Sequence, residues 1–168
     1  VVEKIRDSLC ELDPAHAANY RSRAETYLQE LAALHEEVKQ QIAKIPAKRR
    51  VLITAHDAFG YFGRAYGIEV HGLQGVSTAS DTSGRDVQML ADLIGSRRIP
   101  ALFAETSVSD KGMEAVQEAV RKKYKGFEVR LAKAQLYSDA LGETGTPGAN
   151  YAGMVRHNVT AIVQELGE

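Results

Sequence analysis

Val51-Leu-Ile-Thr54, running on into Ala55-His56-Asp57, decides how the rest of the chain is read. The run is short, apolar and partly β-branched. It follows the basic Lys48-Arg49-Arg50 and ends in polar groups, the pattern of a buried strand feeding a loop. Ile68-Glu-Val70, Ala101-Leu-Phe-Ala104 after Pro100, and Phe127-Glu-Val-Arg-Leu131 repeat it. Helical stretches lie between them, at about Asp57 to Tyr66, Gly84 to Arg97 and Asp110 to Lys123, and a last one runs from about Tyr151 to Leu166. Strands that alternate with helices predict an α/β fold: a four-stranded, mostly parallel sheet flanked by helices.

Upstream the period changes. Asp13-Pro14 is a helix-start signal, with Asp at the N-cap and Pro at the first helical position. Apolar residues then recur in steps of three and four at Tyr20, Ala24, Tyr27, Leu28, Leu31, Leu34, Val38, Ile42 and Ile45, until Pro46 stops the pattern. About 30 residues at ~1.5 Å each make a rod about 45 Å long. A compact chain of this size has a radius of gyration of about 15 Å. The helix therefore either crosses the whole body or projects to hold something beyond this sequence. Val1 to Leu12 reads as a helical turn or two with no cap or lead-in. That pattern suits a chain cut inside something larger and equally a frayed terminus.

The chain has 168 residues, 44% hydrophobic and 26% charged, with Lys+Arg 21 against Asp+Glu 22 and a net charge of −1. These values exclude a disordered tail and a collagen-like repeat. One cysteine, Cys10, excludes a disulfide scaffold. Without a basic excess or an aromatic-studded basic stripe, nucleic acid is not an expected partner. No apolar run approaches the roughly 20 residues of a membrane helix, and no signal-type leader opens the sequence. Gly142-Glu-Thr-Gly-Thr-Pro-Gly148 is a polar loop, expected to be mobile.

Parallel sheets bind ligands outside the carboxyl ends of their strands. The polar residues there are Thr54-Ala-His56-Asp57, Glu105-Thr-Ser107 and, a few residues past the fourth strand, Tyr137-Ser-Asp139. An imidazole with nearby carboxylates fits half of a nitrogen/oxygen metal site, and also an acid/base pair. Each group has a plainer reading too. His56 and Asp57 suit a helix start, Glu105 a turn brace and Asp139 a turn. His16 and His35 are expected to be solvated, His71 to sit in a turn before Gly72, and His157 to make a packing hydrogen bond. Gly60, Gly63 and Gly67 form no phosphate loop. Ser77, Ser80 and Ser83 form no nucleophile elbow.

Several ordered blocks then carry a resemblance: Ala55-His-Asp-Ala-Phe-Gly-Tyr-Phe-Gly-Arg-Ala-Tyr-Gly67, Leu73-Gln-Gly-Val-Ser-Thr-Ala-Ser80, Leu102-Phe-Ala-Glu-Thr-Ser107, Leu136-Tyr-Ser-Asp-Ala-Leu-Gly142 and Tyr151-Ala-Gly-Met-Val-Arg-His-Asn158. Together with Asp13-Pro14, Tyr20 and Tyr27, they resemble the TroA-like receptors, the zinc- and manganese-binding solute receptors of bacterial ABC uptake systems. The resemblance covers nearly the whole chain. It implies two α/β lobes joined by one long helix, with a metal between them. On that frame residues 1–12 are the remnant of a preceding lobe, 13–46 the interlobe spine helix, and 47–168 the C-terminal metal-binding lobe. The N-terminal lobe, with two His ligands, is missing from this sequence.

By resemblance His56 and Asp139 are metal ligands, and Glu105 and Ser138 support them. Some manganese-type members carry Glu where this chain has His56, so the imidazole points to a nitrogen-richer site that still admits manganese or iron. The implied function is capture of zinc or manganese, or iron, outside the cytoplasm for an ABC importer's membrane subunit, with no enzymatic activity. A membrane anchor is an option for the longer parent. The isolated chain is expected to bind metal weakly and to form homodimers. The alternatives are a surface adhesin or scaffold and, with less support, a metal-assisted hydrolase.

Overall fold

The computed structural model describes residues 1–75 and 83–167, which form two compact units, Val1–Lys39 and Gln40–Glu168. Ser77, Ser80 and most of the Leu73–Ser80 block lie outside the described residues.

The first unit holds α1 (Val2–Leu12), a single turn of 3-10 helix (Pro14–His16) and most of α2 (Ala17–Ala43). α1 is a full 11-residue helix rather than a turn or two. Asp13 ends it with φ −136° and ψ 75°, a conformation outside the helical region. The N-cap role expected of the Asp13 side chain is not found. Its carboxylate is taken up instead by Tyr20 Oη, which donates at 2.9 Å, and by His16 Nδ1 at 2.8 Å. The same bond pushes the Tyr20 hydroxyl up from its ordinary pKa, because ionising it would leave two negative oxygens face to face. Cys10 Sγ reaches Ala17 O at 3.6 Å.

The second unit carries the expected alternation: β1 (Val51–His56), α3 (Gly60–Tyr66), β2 (Glu69–Gln74), α4 (Gly84–Arg97), β3 (Ala101–Leu102), α5 (Lys111–Lys123), β4 (Arg130–Leu131) and α6 (Tyr151–Leu166). All pairings are parallel. β1 pairs with β2 from Val51↔Glu69 to His56↔Gln74, and β3 pairs with β4 at Ala101↔Arg130 and Leu102↔Leu131. A bridge between Thr54 and Phe103 joins the two ribbons, with Phe103 N–H donating to Ile53 O at 2.9 Å. The order is therefore β2–β1–β3–β4, and the direction of winding reverses between β1 and β3.

β3 stops short of its apolar run for a visible reason. Arg130 pairs with Ala101, a separation of 29 residues, whereas Leu136 pairs with Glu105, a separation of 31. The extra residues, around Lys133–Gln135, bulge out of the ladder and interrupt it. Pairing resumes where Leu136 N–H donates to Ala104 O at 2.9 Å and Thr106 N–H to Leu136 O at 3.0 Å.

Side chains alternate along β1. Val51, Ile53 and Ala55 join one core with Leu90, Ala91 and Ile94 of α4 and Met113, Val116 and Val120 of α5. Leu52, Thr54 and His56 face the other way and are equally buried. In α6 a buried stripe runs through Asn158, Val159, Ala161, Ile162 and Leu166. α4 starts on a capping box in which Ser83 and Asp86 each bond the other's backbone N–H, as their spacing suits. α3 ends on Gly67, whose φ of +69° is open to glycine at little cost. His71 lies in β2, not in a turn, with Nε2 2.7 Å from Glu69 Oε1. The Gly142–Gly148 loop is tied internally, with Gly142 N–H on Gly148 O at 2.8 Å and Thr146 Oγ1 on Glu143 O at 2.7 Å. Among the described residues, no helix is long and apolar enough to cross a membrane.

Candidate metal centre

The reversal in strand order opens a crevice past the carboxyl ends of β1 and β3, the usual ligand position in open parallel sheets. The chain puts His56 at the last position of β1 and Glu105 three residues past β3. The resumed pairing at Leu136 then leads Tyr137-Ser138-Asp139 to the same rim.

His56 is held from three sides. Its ring is almost fully buried, with side-chain exposure of 2%. Its backbone N–H donates to Glu105 Oε1 at 2.9 Å, and its carbonyl accepts from Thr54 Oγ1 at 2.8 Å. Glu105 is fully buried, and its other oxygen, Oε2, lies 2.8 Å from His56 Nδ1. The approach is off-line for an ideal hydrogen bond, and neither atom has another partner. Two lone pairs do not rest at that distance, and a ring proton on Nδ1 would satisfy the contact. That tautomer would leave Nε2 as an open lone pair, the arrangement in which a carboxylate orients a ligating imidazole.

Nε2 faces Asp139, at 3.4 Å from Oδ1 and 3.3 Å from Oδ2. This separation is long for an N–H···O bond. Bonds of about 2.0–2.2 Å to one tetrahedral zinc set a nitrogen and an oxygen about 3.4 Å apart. The gap therefore fits two donors on one ion. Asp139 is the exposed partner, 56% accessible where the imidazole is 2%. Asp57, Gly60, Tyr61 and Arg64 continue the lining of the cleft in front of the pair, and the Arg64 guanidinium lies 4.6 Å over the Tyr61 ring.

The other expected residues fall as follows. Ser138 lines the cleft, and its Oγ lies 2.6 Å from Ser107 Oγ, which ties the Asp139 arm to the chain after Glu105. Asp57 does not cap α3, which begins at Gly60 with no side-chain cap. His157 does make a packing bond, with Nε2 3.0 Å from Gln135 O, and its ring lies 4.9 Å from that of Tyr137. His16 pairs with Asp13, and His71 pairs with Glu69. Among the described residues, no group of three or more His, Cys, Asp or Glu could hold a metal ion. The rim brings the His56 imidazole and the Asp139 carboxylate together.

Two contributors were not singled out from sequence. Thr54 fixes the His56 carbonyl, and Asn158 of α6 bonds both backbone groups of Tyr137, two residues before Asp139. Asn158 left a trace: an amide in the apolar stripe of a helix, one turn before Ile162, has to find partners.

Known proteins show the same arrangement of chain. The zinc-binding protein TroA of Treponema pallidum is 47% identical over 165 residues, covering 98% of this chain and 53% of TroA. Its periplasmic zinc-binding structure superposes with a TM-score of 0.92 at 46% identity, over 98% of this chain and 58% of that one. The manganese-binding lipoprotein MntA of Bacillus subtilis is also 47% identical, over 98% of this chain and 53% of MntA. The iron-binding protein YfeA of Yersinia pestis is 29% identical over 99% of this chain and 51% of its own length. The chain thus spans about half the length of the curated relatives it matches, and these three relatives are zinc-, manganese- and iron-binding proteins by name. With residues 1–165 matched throughout, the chain belongs to the ZnuA family, the periplasmic component A of zinc-uptake complexes.

Proposed function

We propose that this chain supplies half of the metal-binding site of an extracytoplasmic receptor that captures a divalent transition metal and hands it to the membrane subunit of an ABC importer. His56 Nε2 and one Asp139 oxygen are the two donors. Glu105 holds the ring in the tautomer that leaves Nε2 free, and Ser138 braces the Asp139 arm through Ser107. The observation that carries the reading is the imidazole itself: one nitrogen sits against a buried carboxylate and the other stands 3.3 Å from an exposed one.

The donors suit capture. A neutral imidazole and a carboxylate bind zinc readily and accommodate manganese or iron. A closed four-ligand site leaves no open position for chemistry, so the remaining two donors, from a preceding lobe, would complete a carrier rather than a catalyst. A proton on Nε2 competes directly with the metal, so affinity falls as the solution becomes acidic. The chain's own two donors give weak binding. Two chains that face each other would offer two imidazoles and two carboxylates, so the isolated chain is expected to dimerise around metal.

Zn²⁺ and Mn²⁺ titrated calorimetrically into this chain, beside His56→Ala and Asp139→Ala, test the reading. Each substitution is expected to weaken binding at least tenfold, and sedimentation is expected to show a metal-dependent dimer. Tight binding that survives both substitutions would refute the assignment.

A further inference from the structure

The two proposed donors are anchored very differently. His56 belongs to a central strand and is fixed at its N–H, its carbonyl and its ring. Asp139 lies three residues beyond the last sheet bridge, at Leu136, on a segment with no regular structure. Something else has to hold that arm in register with the imidazole.

Asn158 is one of the few buried polar side chains among the described residues, 5% exposed. Its Oδ1 accepts from Tyr137 N–H at 2.9 Å and its Nδ2 donates to Tyr137 O at 2.7 Å. The amide thus acts as a one-residue strand. It continues the ladder past Leu136 after the neighbouring backbone has turned away at Thr106. The Tyr137 side chain is clamped as well. It packs on the His157 ring at 4.9 Å, and a Cβ on Gly142 or Gly148 would come within 3 Å of its ring atoms. One residue on, Ser138 Oγ meets Ser107 Oγ at 2.6 Å. Of these tethers, Asn158 is the one shielded from water.

We infer that Asn158 is a positioning residue for metal binding, acting through the Tyr137 backbone to hold the Asp139 carboxylate opposite His56 Nε2. It touches no metal itself. The inference rests on the proposed donor role of Asp139. Loss of a partner behind a ligand commonly weakens metal affinity 10–100-fold. Here the loss reaches the metal only by way of Asp139.

A double-mutant cycle separates this from plain structural support. Zn²⁺ alone is titrated calorimetrically into the full chain, into Asn158→Ala, into Asp139→Ala and into the double variant, and the metal-free melting temperature is recorded for each. Asn158→Ala is expected to weaken Zn²⁺ binding about tenfold where Asp139 is present and less than twofold where it is absent. Its melting temperature falls equally in both backgrounds. Asn158→Ser is smaller than asparagine and brings a hydroxyl without a buried charge, so it is the second variant should the alanine one not fold; it is run through the same cycle, and its loss also disappears without Asp139. Equal losses in both backgrounds overturn the inference while leaving Asp139 a ligand. Unchanged affinity in Asp139→Ala alone overturns the donor assignment and the inference with it.

Discussion

Glu105→Gln is the most informative single change at the rim, because it alters one proton and almost no volume. Glu105 is fully buried, with Oε1 on the His56 backbone N–H at 2.9 Å and Oε2 against Nδ1 at 2.8 Å. The backbone N–H cannot become an acceptor, so it fixes the amide with its oxygen toward His56 N and its NH₂ toward Nδ1. An amide donor at that position requires a lone pair on Nδ1. The ring proton then moves to Nε2, the nitrogen that faces Asp139. The variant is therefore expected to fold and to bind Zn²⁺ 10–100-fold more weakly, about 1.4–2.7 kcal/mol. Exchanging a charge-assisted bond for a neutral one costs about 1 kcal/mol of stability, a few degrees in melting temperature for a chain of this length. Glu105→Ala would cost more, because it orphans a buried N–H at about 1–3 kcal/mol and leaves a cavity. Calorimetry reads the affinity, and long-range ¹H–¹⁵N NMR of the His56 ring reads the tautomer, with the proton on Nδ1 in the wild type and on Nε2 in the variant. A wild-type ring protonated on Nε2, or a variant that binds Zn²⁺ within twofold of the wild type, would refute the reasoning.

Gly72→Ala should destabilise by about 1–3 kcal/mol in chemical denaturation, and should weaken Zn²⁺ binding too, because the new Cβ would meet Asp57 N at 2.6 Å and the His56 carbonyl carbon at 2.7 Å. Ile94→Ala, in the fully buried α4 stripe, should cost about 2–5 kcal/mol while the affinity of the folded fraction stays unchanged. Glu69→Gln tests a charge far from the rim: Arg97 and His71 both bond Glu69 Oε1 at 2.7 Å and hold its pKa down at about 2. A depressed carboxylate stabilises the fold above its unfolded value, and that contribution is lost as pH falls toward 2. The variant should therefore be less stable at neutral pH by less than about 1 kcal/mol, given that the pair is solvent-screened, and should match the wild type at the acid end; a deficit that grows on acidification would reverse the assignment.

Much of this was legible in the chain because the signals are local. Four apolar runs, each followed by a helix, fix a parallel sheet, and a parallel sheet fixes which ends of which strands carry polar groups. That is enough to bring His56, Glu105 and Asp139 to one rim. Exact element limits were less legible. Asp13 and Asp57 both look like helix caps, but one is drawn off by Tyr20 and His16 and the other stands three residues before α3 begins. The bulge near Lys133–Gln135, which interrupts the ladder before pairing resumes at Leu136, is set by the partner strand and has no composition of its own. The hidden supports are the least legible. Thr54 and Asn158 act on backbone groups, so their partners could be almost any residue, and only the fold names them.

The division of labour between the two proposed donors follows from the cost of burial. The buried one is an imidazole, which needs no charge to bind, and satisfied on its inner nitrogen it sits in the protein at modest cost. The carboxylate is left more than half exposed, where water solvates it. Exchanging the two would set a second carboxylate beside buried Glu105, and one of them would have to be protonated or expelled, at a cost of several kcal/mol. The arrangement observed avoids that cost. It leaves the exposed arm as the place where geometry has to be imposed from behind, by Asn158 on Tyr137 and by Ser107 on Ser138. Weakening those tethers should therefore loosen the carboxylate and leave the imidazole in register.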